Sequence, residues 1–467
     1  MIRLTNIKQL YLFIAVLLCT SGLSTAQNVV TIEYSKTIKN AIIGGESIRK
    51  LYDAKLSAGM MTLVCDSAWQ FVDRNEIRAF GNIQIDTNTE NIWTDTLYYF
   101  TDKEFSELRG RVIIKQDSTL LFGNSVDYNF LTKEAQFRDN IRLEDTDGVL
   151  SALTGTYFQQ LDSAEFRGNV QLADSGKYAE SDSLFTNRLT KSARLFSNIF
   201  VVDSTNNAIL EGDYLEADST GRRYIKDNAY LRKIDSDTTD TTHIFANEIL
   251  LHKEDSTTFI DAYKNVKVWS PKFSSVSDTL LYNSTDEVFN LSSNPKAWHK
   301  SIQLTGPYIF VQLDSNRVEK LTSFTKPIAV QEDSTTGRLN QIKGDTLIAN
   351  FLDGDISEIM VYPNSQILYH TKNSDDEPDG AIESTSPKTI LSFEKGELIQ
   401  AWMGKNQGLF LPEYTDLATR RIEGFVWTPE LRPTRPSINP EAKLPPIPSE
   451  RPFPLPKRFI EFLSKQL

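Results

Sequence analysis

One residue pattern recurs along this chain at a spacing that no irregular fold would keep. From Asn82, in Ala79-Phe80-Gly81-Asn82-Ile83-Gln84-Ile85, steps of 29 residues land on Arg111, Asn140, Asn169 and Asn198. A step of 30 then reaches Asn228, an insertion stretches the next to 37 at Asn265, and 29 more gives Asn294. The flanks repeat as well, as in Leu108-Arg109-Gly110-Arg111-Val112-Ile113-Ile114, Phe166-Arg167-Gly168-Asn169-Val170-Gln171-Leu172 and Tyr263-Lys264-Asn265-Val266-Lys267-Val268. A fixed period of this length marks each copy as one supersecondary unit that buries its apolar face only against its neighbours.

Within each copy the apolar period is two. The first and third residues after the anchor are Ile83/Ile85, Val112/Ile114, Ile141/Leu143, Val170/Leu172, Ile199/Val201 and Val266/Val268, with Gln84, Arg142, Gln171 and Lys267 between them. That alternation predicts a β-strand with one buried face. Three residues before the anchor, on the same face, stand Ala79, Leu108, Phe137, Phe166, Leu195 and Ile225. The Gly or small polar residue just before the anchor (Gly81, Gly110, Asp139, Gly168, Ser197) predicts a bulge or bend. A second strand type in each copy places Tyr99, Tyr128 and Tyr157 at 29-residue intervals. Asp-Ser pairs such as Asp117-Ser118 and Asp203-Ser204 favour the turns.

Strands joined by such short turns form an antiparallel meander that grows along one axis. At about 4.8 Å per strand, roughly twenty of them would extend on the order of 100 Å. Asp235–Thr242 is a polar inserted loop, and after Asn294 the repeat fades, although Ile342-Lys343-Gly344-Asp345-Thr346-Leu347 still echoes the second strand type. The organisation read from this pattern is a signal segment over 1–26, a repetitive β body over 27–300, a degenerate continuation over 301–411 and a Pro-rich tail over 412–467. Pro429 to Pro456 is predicted to be extended and apart from the packed core, with one or two amphipathic helical turns over Arg458–Leu467.

Charge narrows the partners. The chain carries 50 Lys and Arg against 62 Asp and Glu, a formal charge of −12, so it lacks the basic footprint that nucleic acid requires. Arg3 and Lys8, the apolar run Leu10–Leu18 and Ser24-Thr25-Ala26 before Gln27 read as an export signal. That run is too short to span a bilayer comfortably. Cys19 raises a lipoprotein reading, but Leu18 occupies a position where a small residue is required. Cleavage before Gln27 leaves Cys65 as the only thiol, so no intramolecular disulfide is available.

No chemistry assembles from sequence spacing. His243, His252, His299 and His370 are scattered without metal-ligand partners, and no copy carries a calcium-loop pattern, so no metal site and no cofactor are assigned. There is no Gly-rich phosphate loop and no nucleophile elbow. Cys65, on a strand, reads as a small buried residue, and no catalytic residue is named. What remains is the stacked apolar face: Ile83, Ile85, Val112, Ile114, Ile141, Leu143, Val170, Leu172, Ile199 and Val201. In a closed sandwich this column is core, and the chain is a structural or adhesive β-solenoid. In an open one it is a trough suited to acyl chains, each buried CH₂ being worth roughly 0.8 kcal/mol. A third reading is a polysaccharide-acting β-helix with carboxylates paired across rungs. Residue patterns alone leave all three open.

Cys65-Asp66-Ser67-Ala68, Asn75 and Ala79-Phe80-Gly81-Asn82-Ile83-Gln84-Ile85 resemble the opening of the OstA-like family, and the repeated Gly-Asn-Val strands fit it over roughly 50–300. Asn364-Ser365-Gln366-Ile367-Leu368-Tyr369, Gly408-Leu409-Phe410-Leu411-Pro412 and Glu423-Gly424-Phe425-Val426-Trp427 before Arg432-Pro433 are similar to the long form found in Bacteroidetes-type bacteria. The resemblance implies an all-β fold: an elongated antiparallel twisted β-jellyroll, a stack of two V-shaped sheets with a Pro-rich C-terminal tail. It also implies a periplasmic bridge protein, not an enzyme, that shields the lipid A acyl chains of lipopolysaccharide. Its partners would be other jellyroll components at the inner and outer membranes, joined edge to edge, with end-to-end self-association a further option. By that similarity the ten-residue column lines the lipid groove. Replacing Ile141 with Asp should then weaken lipid binding without unfolding the chain.

Overall fold

The computed structural model describes residues 30–58, 61–146, 148–234, 241–314, 317–394, 397–413, 416–437 and 451–465. The export signal read over 1–26 lies outside the described residues, as do 235–240 of the inserted loop. The chain divides into two compact units, residues 1–164 with 448–467 and residues 165–447. Both are antiparallel β structure, with 33 strands among the described residues from Thr31–Ile43 to Gln407–Pro412; this is the antiparallel stack expected from the repeat and the all-β jellyroll class that the resemblance implies. Strands also fill 301–411, where the repeat fades.

The repeat anchor is the corner of each strand. Gly81 and Asn82 both have positive φ, 76° and 42°, as do Ser197 and Asn198, Asp227 and Asn228, and Lys264 and Asn265. Phe80 pairs with Thr96 and Ile83 with Thr94, so Gly81 and Asn82 together face Asp95 alone. Two left-handed residues opposite one make a bulge that bends the strand. Asparagine tolerates this conformation because its short amide can bond locally, and here it does. Asn82 Nδ2 donates to Asp66 at 2.7 Å, Asn198 to Asp182 at 2.8 Å, Asn228 to Asp213 at 2.7 Å and Asn364 to Asp345 at 2.6 Å. Where Arg111 replaces asparagine, Gly110 takes the positive φ (90°), and the Arg111 backbone and guanidinium both bond Asp95. A Cβ on Gly81 would stand 2.7 Å from an Asp66 carboxylate oxygen, so the position excludes side chains on space as well as on φ.

The bend sends the two halves of each strand into two facing walls. In the first unit one wall aligns Leu63, Ile85, Ile92, Ile114 and Leu121. The other aligns Ala68, Ala79, Leu97, Leu108, Val126 and Phe137, and no residue of either row is more than 3% exposed. The second unit repeats the arrangement with Leu210, Leu231, Ile244 and Val268 against Leu195, Leu215, Ile225 and Ile249.

The outward side of one wall is buried too, and the C-terminal segment is what buries it. Of the Pro429–Pro456 stretch read as extended, 438–450 lie outside the described residues; on either side of it Leu417 and Phe459 are 1% and 0% exposed. In the second unit Leu417 packs on Leu368 and Ala381. The backbone then bonds two buried glutamines in turn. Gln341 accepts from Ile422 N (2.8 Å) and donates to Arg420 O (3.2 Å), while Gln303 accepts from Thr428 N (2.9 Å) and donates to Val426 O (3.0 Å). Residues 420–428 contain no proline, yet they run past without joining the sheet. The glutamine amides therefore stand in for a paired strand.

In the first unit the helix Lys457–Ser464 presents Phe459, Phe462 and Leu463, on one face by their spacing, to the outward residues Trp93, Ile113 and Phe122. Phe459 meets Trp93 edge-on at 4.8 Å, and Arg451 pairs with Glu144 at 3.0 Å. The warning in the sequence is the broken alternation of Ile92-Trp93, Val112-Ile113-Ile114 and Leu121-Phe122, strands apolar on both faces.

Two outcomes follow. Asn82→Ala should lower the unfolding free energy by about 1–3 kcal/mol in urea denaturation, through strain and the lost bond to Asp66, and Gly81→Ala by at least as much. Phe459→Ala should cost about 3–5 kcal/mol and shift tryptophan emission to the red as Trp93 meets water.

Candidate functional site

The ten column residues separate into three groups. Ile83, Ile85, Val112, Ile114, Ile141, Val170 and Ile199 are buried, none above 3% exposed. Leu143 and Val201 are half-buried, and Leu172 is 37% exposed. At Ile141, 1% exposed, an aspartate would place a carboxylate in a packed interior and unfold the chain before it tested any ligand, contrary to the expectation from sequence. Leu172 is the position where a charge can be introduced without that cost.

The difference between closed and open stretches has a visible cause at the mouth between the walls. In the first unit the inward row nearest the mouth runs Ile77, Tyr99, Ser106, Tyr128, Ala135, Tyr157. The Tyr128 hydroxyl donates to the carboxylate of Glu90, 4% exposed, in the turn that ends the opposite wall, and Tyr157 donates to Gln116 at 3.0 Å in the same way. Phe130 closes over Tyr99 and Tyr128, with ring centroids 5.7 and 4.7 Å away. Burial, then Glu90, pushes the Tyr128 phenol well above its ordinary pKa, so it remains a donor. The 29-residue tyrosine spacing signals this row; Glu90 and Gln116 carry no such signal and were not legible.

The second unit begins without that clasp. The corresponding row is Thr186, Ala193, Ala217 and Arg223, all half-buried, and the nearby inward residues Ala179 and Val201 are half-buried as well. Further along, between residues 297 and 398, lie two small voids of about 20 and 30 Å³, one lined by Trp298, Leu321 and Leu347 and the other by Ile342, Ile359 and Leu391. Each has room for about one water.

The reactive side chains have local employment. Cys65 is fully buried and its thiol is pushed up to about 12 by burial, which leaves it protonated and unreactive. His243 bonds Tyr230 at 2.9 Å and Thr241 at 2.8 Å, His252 lies 3.2 Å from Asp261, and His299 bonds the Lys272 carbonyl at 2.8 Å. Among the described residues no three His, Cys, Asp or Glu side chains come together as a metal site.

The two apolar walls meet at a mouth that tyrosines bridge in the first unit and that is accessible at the start of the second. Residues 27–182 match the family described as OstA-like protein, and this part of the chain is OstA-like. That family is a transport and binding family of the lipopolysaccharide-transport type. No curated protein matches the chain.

Tyr128→Phe removes the donor that satisfies buried Glu90. It should cost about 1–3 kcal/mol and raise amide hydrogen exchange in the turn at Thr87–Glu90, with the Asn82 corner unchanged.

Proposed function

We propose that this chain is a periplasmic lipopolysaccharide-binding bridge protein that shields lipid A acyl chains between its two apolar walls during transport to, and assembly of, the outer membrane. The observation that carries the reading is the inward apolar row that becomes accessible at Leu172, Ala179 and Val201, where no tyrosine bridges the mouth. The OstA-like match over 27–182 supports the cargo class. An acyl chain passing from one such row to the next exchanges one apolar surface for another of equal area, so the path is nearly level. Directional flow then needs an energy source outside this chain.

Partners of similar fold would add at an open strand edge. Thr31–Ile43 pairs with Glu46–Ala58 and carries exposed Tyr34, Ile38 and Ile42, which suits it to receive the edge strand of another jellyroll component or of a second copy. Neither nucleic acid nor a cofactor enters this scheme.

A closed structural solenoid is the rival, favoured by the fully buried rows of the first unit and the small voids between 297 and 398. The two separate on purification from the native envelope. The bridge protein should carry lipid A detectable by mass spectrometry, and Leu172→Asp with Val201→Asp should remove most of it while circular dichroism is unchanged. A well-folded parent chain free of lipid A would sink the proposal.

A further inference from the structure

The second unit holds a cleft of about 1070 Å³ between the outward face of the strands and the C-terminal segment at Glu430–Pro436. It is as large as the pockets that take small ligands, about 300–1,000 Å³. Strand registry lays its floor as one cross-strand row: Glu211, Tyr230, Phe245, Lys267, Val276 and Lys296. Adjacent members of such a row lie about 5 Å apart, so Lys267 and Lys296 flank Val276 and can close on one ligand group.

Three cations gather at this end, none of them in an ion pair among the described residues, although the carboxylates of Glu211, Asp278 and Glu430 also line the cleft. Among the described residues Lys267 and Lys296 have no hydrogen bond or ion pair. Arg432, on the opposite wall, donates to two neutral acceptors, the Lys300 carbonyl at 2.5 Å and the Ser274 hydroxyl at 3.3 Å, and so keeps its charge uncompensated. An anion that reaches these three groups therefore breaks no ion pair. The remainder of the wall is not that of a bare anion site. Phe245, half-buried and stacked on Tyr230 at 4.7 Å, offers an apolar ring, while corner asparagines and the carboxylates of Glu211, Asp278 and Glu430 accept hydrogen bonds from hydroxyl groups.

We propose that this cleft binds a phosphorylated saccharide, with the phosphate between Lys267, Lys296 and Arg432 and a sugar ring against Phe245. The site lies on the outward face and does not depend on the acyl-chain reading, which concerns the inward rows.

Calorimetric titration of the full secreted chain tests it with four probes: an acyl-free phosphorylated glucosamine disaccharide, glucose 6-phosphate, the unphosphorylated disaccharide and inorganic phosphate. At least one phosphorylated sugar should bind once per chain, tenfold or more tighter than both the unphosphorylated disaccharide and inorganic phosphate. Preference for the disaccharide assigns the ligand to a lipid headgroup, and preference for glucose 6-phosphate to a soluble sugar; either sustains the proposal. The double variant Lys267→Gln, Lys296→Gln, which alters only surface charge, should lose at least tenfold in affinity. Leu172→Asp should bind the sugar as the parent does, which separates this site from the lipid-bearing rows. Absence of binding, inorganic phosphate binding as tightly as the sugars, or undiminished affinity in the lysine variant would overturn it.

Discussion

The left-handed corner at each repeat anchor is the constraint on which everything else rests. Two residues at positive φ, with the asparagine amide tied to a carboxylate about 16 residues upstream, bend one strand so that its halves serve opposite walls. A straight strand would give a single open sheet with its apolar face in water. The bend converts that face into an enclosed interior, and the periodicity of the corner keeps successive strands in register. The carboxylate ladder also explains an acidic protein with few isolated charges at its corners, since Asp66, Asp182 and Asp213 each accept an anchor amide and Asp95 an arginine.

The same strands carry a second layer. Part of the outward side is covered by a C-terminal chain segment that runs past it without pairing as a strand. Buried Gln303 and Gln341 solve the resulting hydrogen-bond deficit by offering a donor and an acceptor to the passing backbone, so neither amide is left unsatisfied. Within the first unit the terminal helix does the equivalent through rings, Phe459 and Phe462 against Trp93.

Whether those walls hold a ligand depends on what spans their mouth. Tyrosines reach the opposite turn at Glu90 and Gln116 in the first unit, whereas Thr186, Ala193 and Ala217 are too short to do so in the second. One repeat thus yields closed and accessible stretches by exchanging a single residue type at a single row. The reading as a lipid-bridging protein rests on that contrast together with the OstA-like match over 27–182.

The amino-acid sequence by itself determined the strands, their pairing order and their inward faces, because a 29-residue period and a two-residue alternation are local and survive without tertiary contacts. Ile83, Val112 and Ile199 lie inside for that reason. It also marked the corners, since Gly-Asn tolerates positive φ and few other pairs do. Only the tertiary structure decided that Leu172 is exposed while Ile141 is sealed, that Tyr128 finds Glu90 38 residues away, and that Phe459 finds Trp93. Those contacts join segments with no fixed offset between them. Their energy comes from burial and from satisfying polar groups in three dimensions, which a one-dimensional period does not encode.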